Sequence, residues 1–172
     1  MIAAGALAPA AFGHTLYPQW VAYRRKHLLI GCHRKDAETY PLAQALVDEL
    51  NHALPKANAR AARAPHPQRL ASLIGTDQLE LAVLSVPDAL GMAAGEGKFA
   101  PYGKLALTVL AVAGDHILAA EGGFPVRHGW LVASALHDSR LVETPRSVDA
   151  LQIHAGARAF ADGAAFDGLP TD

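Results

Sequence analysis

Short continuous apolar runs alternate along this chain with stretches whose apolar residues recur every three or four positions. The clearest stretch is Pro41–Leu54, where Leu42, Leu46, Leu50 and Leu54 recur every four residues, joined by Ala43 and Val47. Gln44, Asp48, Glu49 and Asn51 hold the other faces, so the spacing predicts a helix with one side on a sheet. Pro55 stops it. Just upstream, Leu28–Cys32 predicts a short buried strand. Leu79–Leu84 and Leu105–Ala113 predict two more, and a further short strand follows at Ile117–Ala120 beyond the turn Gly114-Asp115. Asn58–Arg63 is poor in β-branched residues and predicts a weak strand near an edge. Helices are predicted at Pro67–Gly75, from Val86 to Gly95, at Pro125–Leu136 and at Ala155–Ala164. Ser85 is placed as an N-cap, with Asp88 imitating the Glu of a capping box. Leu141–Pro145 and Leu151–Ile153 read as extended. Strands alternating with helices predict an α/β fold: one mostly parallel sheet, right-handed crossovers, and helices on both faces.

Length changes this picture little, since 172 residues suit one domain burying roughly 70% of its unfolded surface. Charge removes a class of partner. Fifteen basic residues against sixteen acidic ones leave no electrostatic footprint for nucleic acid, and Arg24-Arg25-Lys26-His27 reads as a solvated strand entrance. The single cysteine, Cys32, excludes an intramolecular disulfide and a cysteine-only zinc site. No apolar run approaches the ~20 residues of a membrane-spanning helix. Met1–Gly13 is apolar and Ala-rich, with small Ala8 and Ala10 as in a signal-cleavage region but no Lys or Arg before it. The expected organisation is an N-terminal arm or residual export signal over 1–26, one α/β domain over 27–166, and a frayed tail over 167–172.

In open α/β sheets ligands bind beyond the C-terminal ends of the strands. Three loops, Cys32–Tyr40, Arg63–Pro67 and Ser85–Asp88, should therefore converge on one rim. Helix N-termini there favour a carboxylate or another anion. Arg34 and Lys35 add positive charge, while Asp36 and Glu38 oppose it unless they face solvent. The plainer reading is that these residues cap helices and solvate loops. Cys32, His33 and His66 are of metal-ligand type, but no compact ligand spacing joins them, so no metal is expected. His137-Asp138-Ser139 names a triad that three consecutive residues cannot build. With no G-x-S-x-G, P-loop or G-x-G-x-x-G, and no acidic pair spaced for acid/base work, neither catalytic residues nor a cofactor are expected.

Leu28–Leu54 resembles the first lobe of TAXI-type solute receptors, the substrate-binding subunits of TRAP transporters, with Gly31, Thr39, Tyr40, Pro41, Leu50 and Asn51 matching the layout. Arg69-Leu70 with Gly75–Leu84, the turn at Ser85, and the strand Lys104–Val112 continue the likeness. Phe124–Asp138 resembles a late helix of that family, and Leu151–Ala157 (LQIHAGA) its His-Pro-Gly-Ala segment. The likeness covers about two-thirds of the chain. It departs where the family's ligand-loop glycines are replaced by Arg34-Lys35-Asp36-Ala37-Glu38, where Ala64-Pro65-His66-Pro67 replaces a Thr-Gly-Gly-Ser-like loop, and where most of a second lobe has no counterpart. The resemblance implies a periplasmic-binding-protein-like single lobe with Thr39, Tyr40 and Ser85 as candidate ligand-binding positions; Arg34 and His66, on the same loops, complete the set. It further implies a non-catalytic, periplasmic or extracytoplasmic protein that binds a small organic acid or amino acid and docks on a transporter membrane subunit. One lobe cannot close over a ligand, so a homo-oligomer or a partner-completed site is expected. The alternative is a degenerate receptor lobe serving as a protein–protein interaction or regulatory module, through the rim or through an arm carrying Tyr17, Trp20 and Tyr23.

Overall fold

The computed structural model describes residues 23, 26–143 and 145–170; the arm-or-export-signal reading of 1–26 falls almost wholly outside them. The described chain is α/β, with one six-stranded sheet between two layers of helices. Its elements are β1 (Leu29–His33), α1 (Thr39–Ala53), β2 (Arg60–Ala64), α2 (Pro67–Ile74), β3 (Leu81–Ser85) and α3 (Val86–Ala94). They continue with β4 (Leu107–Ala113), β5 (His116–Glu121), α4 (Val126–Leu136), β6 (Gln152–Ile153) and α5 (Ala155–Ala161). Strand order is β2-β1-β3-β5-β4-β6. β1 pairs in parallel with β2 and β3, and β4 with β6, whereas β5 is antiparallel to both of its neighbours. The sheet is therefore mixed but mostly parallel.

Side-chain alternation along the strands divides the interior in two. Ile30, Cys32, Leu81, Val83, Leu118 and Ala120 turn to one face, where α1, α4 and α5 cover them. Ala82, Leu84, Ile117 and Ala119 turn to the other, beneath α2 and α3. The central strands thus bury both faces, which is why their sequences are continuous apolar runs. β4 breaks the alternation. Its pairing with β5 slips between Val109 and Ala111, so Leu110 and Ala111 both enter the first core while Val109 and Val112 enter the second.

Helix α1 begins two residues before the predicted Pro41, because the Asp36 carboxylate accepts from Glu38 N at 2.8 Å and Thr39 N at 2.9 Å. At its other end Asn51 donates to Ala59 O (3.1 Å) and accepts from Ala59 N (2.7 Å), tying the helix to the entrance of β2. Asn58, left-handed at φ 47°, makes the turn between them. Ser85 caps α3 by accepting from Asp88 N at 3.4 Å, but the Asp88 side chain pairs with Lys98 at 2.7 Å instead of closing a capping box. Glu96–Gly103, expected as a loop, holds a 3-10 turn over Gly97–Tyr102. His154 caps α5. Its Nδ1 accepts from Gly156 N at 3.1 Å and its Nε2 donates to Phe124 O at 2.9 Å, an assignment the two partners require of a neutral ring. No helix among the described residues is long and apolar enough to cross a membrane.

Gly31 owes its place to packing. A Cβ there would collide with Leu79 and lie 2.8 Å from Leu70 Cδ2, so α2 and the entry to β3 could not approach β1 so closely. Gly31→Ala should lower stability by about 1–3 kcal/mol, the usual range for overpacking, as read from urea denaturation midpoints at unchanged m.

Candidate functional site

β1, β2 and β3 run parallel side by side, so the loops leaving them stand along one rim. The first two loops are stitched together: Arg34 N donates to Ala64 O at 2.8 Å, and His33 Nε2 lies 3.2 Å from Pro65 O. The third loop is reached through β5. His116 pairs with Ser85 across the sheet, and its Nδ1 lies 3.5 Å from Glu38 Oε2. Val86 N donates to Asp115 O at 2.9 Å, which holds the Gly114-Asp115 turn against the start of α3.

The five candidate residues have different surroundings. Thr39 is 3% exposed, and its hydroxyl donates back to His33 O at 3.2 Å. Tyr40 is half-buried against the first core, with the Arg63 guanidinium 5.5 Å from its ring centre. Ser85 is taken up by Asp88 N. His66 is an N-cap whose Nδ1 accepts from Arg69 N at 3.2 Å. Arg34 alone of the five extends as an exposed, uncommitted side chain. The rim thus gathers all five, but four of them already hold the fold.

The helix N-termini meant to attract an anion are answered from within. Asp36 serves α1, His66 serves α2 and Ser85 serves α3. Burial pushes the Asp36 carboxyl up, yet the Thr39 and Glu38 N–H groups, helped by the His116 and His33 rings, outweigh it and hold the group below its ordinary value. What remains available on the rim is side-chain charge. Arg34, Lys35, Arg63 and Arg69 are exposed and join no ion pair among the described residues. Arg63, which opens the predicted rim loop, and Arg69 stand outside the five candidate positions that the sequence suggests. The Glu38–His116 pair is largely solvent-exposed on the Glu38 side and contributes little to stability.

Cys32 lies in the first core, 3.7 Å from Ala62 O, and away from the imidazoles: His33 turns to Pro65 and His66 to Arg69. Burial pushes its thiol up to about 11 despite the nearby Arg63. His137 ends α4 with its ring edge-on to Phe160, and Ser139 accepts from Leu141 N, so His137-Asp138-Ser139 forms a helix end. A comparison with protein-family models and with curated proteins finds no match to this chain.

Removing the internal anion should be visible in stability. Asp36→Ala should cost about 1 kcal/mol at neutral pH, a typical N-terminal cap loss. Because the folded-state pKa is depressed, the wild-type advantage is complete above the unfolded carboxylate value of about 3.9 and is lost as pH falls through the lower folded value. Urea titrations of both proteins from pH 7 to pH 2 check the sign. Cys32 should resist thiol reagents at pH 8 in the folded protein and react promptly once unfolded; fast labelling of the native state would contradict the burial assigned to it.

Proposed function

We propose that this chain is a non-catalytic binding lobe related to the TAXI-type solute receptors, and that it takes a small organic acid or amino acid against the loops following β1, β2 and β3. The observation that carries this reading is the set of exposed cations in no ion pair among the described residues, Arg34, Lys35, Arg63 and Arg69, on adjoining elements of one rim. Arg34 and Arg63 offer planar donors that suit a carboxylate in bidentate geometry. Tyr40, beneath Arg63, supplies an aromatic surface beside them. Because each helix N-terminus already carries a side-chain cap, recognition rests chiefly on guanidinium and ammonium groups and is correspondingly salt-sensitive. The described residues supply one wall, so the site is completed by a second copy of the chain or by a partner such as a transporter membrane subunit. An extracytoplasmic setting belongs to the same reading.

A second reading is favoured by the three occupied helix N-termini: a receptor lobe that no longer takes solute and uses its rim as a protein–protein surface. A thermal-shift screen against organic and amino acids, paired with light scattering, separates the two. On the first reading one acid raises the melting temperature, by an amount equivalent to about 2.7 kcal/mol at a hundredfold excess over Kd, and Arg34→Glu with Arg63→Glu removes the effect. Silence across the screen would sink the solute reading and leave the interaction surface standing. A monomer that binds an acid at micromolar Kd would instead overturn the need for a second wall.

A further inference from the structure

At the end of the sheet opposite the rim lies an open cavity of about 740 Å³, lined by the entrance to β1, the end of α1 with its following turn, and one side of α4. Its size falls within the range of small-molecule sites, roughly 300–1,000 Å³. Leu28, Leu54, Phe124 and Leu131 make an apolar floor. The mouth is cationic. Lys26 and Lys56 stand around it against a single carboxylate, Glu80, with His128 and His27, whose Nδ1 lies 3.1 Å from Asn58 O, beside them. Neither lysine joins an ion pair among the described residues.

We propose that this cavity binds an amphipathic monocarboxylate, an apolar chain or ring seated on the floor with its carboxylate at the mouth. Charge sign selects that class over a neutral or cationic amphiphile. The C-terminal carbonyls of α1 also reach this region and would repel an anion, but Lys56 follows them directly and offsets their field. Lys26, exposed and in no ion pair among the described residues, is the anchor for the carboxylate. Leu131 stands half-exposed on α4 and controls how much of the floor a ligand can cover. The two-lysine mouth and the apolar floor come from three separate chain segments, which the fold alone brings together. This site is independent of the rim reading and shares no residue with it.

The test uses the whole chain and three probes of equal chain length: decanoate, decanol and decylamine, titrated calorimetrically below their aggregation concentrations. Decanoate should bind with one-to-one stoichiometry, and decanol should bind more weakly by about tenfold, the worth of one partly desolvated charged hydrogen bond. Lys26→Glu, at an exposed position that leaves packing untouched, should weaken decanoate by a similar factor or more. Leu131→Trp should block the floor and abolish binding, with circular dichroism confirming the fold; Arg34→Glu at the rim should change nothing. Equal binding of decanol and decanoate, binding that survives Leu131→Trp, or absence of decanoate binding would each overturn the proposal.

Discussion

The arrangement depends on one strand running the wrong way. β5 is seated between β3 and β4, antiparallel to both, with His116–Ala120 buried on both faces. A parallel strand in that position would need a crossover of a dozen residues or more, whereas the turn at Gly114-Asp115 suffices for a reversal. Reversal has two consequences at opposite ends of the sheet. It brings His116 to the rim beside Ser85 and within reach of Glu38. It also releases the chain at the far edge, at Glu121, from which Phe124 and α4 set out to cover the first face. Ala119 and Ala120 keep the strand thin enough for helices to pack above and below it.

At the rim the protein meets a competition built into every strand–loop–helix unit. Unpaired helix N–H groups need an acceptor, and a ligand carboxylate or a side chain can serve. Here the side chains win at all three helices, most fully at α1, where Asp36 already brings a negative charge. An incoming anion therefore gains less at α1, where the Asp36 carboxylate already stands, and finds one N–H fewer at α3, where Ser85 caps. Its attraction comes from Arg34, Lys35 and the two arginines of the neighbouring strand and helix. Guanidinium groups on long side chains lose rotamer freedom when they bind, so a one-walled site of this kind starts with an entropic cost that a rigid glycine loop would not carry.

Much of the fold was legible. The four-residue leucine recurrence of α1 and the apolar runs of β3 and β4 depend on burial, and burial leaves a periodic mark in sequence. The weak β2 was rightly placed at an edge, where low β-propensity is tolerated. Less legible was anything that depends on where a side chain turns within a loop. Asp36 was weighed as a charge opposing ligands, but an Asp two or three residues before a helix can fold onto its N–H groups, and that choice is made by backbone dihedrals. The β4 bulge was equally hidden, since Leu110-Ala111-Val112 reads as apolar whichever face each residue takes. His154 was marked only as part of a resemblance. Its ring's hydrogen bonds to Gly156 N and to Phe124 O, a carbonyl thirty residues away, have no signature in local spacing.

The two ends of the sheet thus differ in what they ask of a partner. The rim is open, polar and largely self-satisfied, so affinity there requires a second surface to exclude water from the charge pairs. The opposite end is an open cavity lined by strand entrance, helix end and α4, and its floor is apolar. Burial of apolar surface contributes about 25 cal/mol per Å² without needing exact geometry, whereas a guanidinium–carboxylate pair left in water contributes little. On these grounds a single copy of this chain is better equipped to hold an amphipathic molecule at the far end than a polar one at the rim. Association that covers the rim would reverse that order, because desolvation strengthens ionic recognition while leaving the far cavity unchanged.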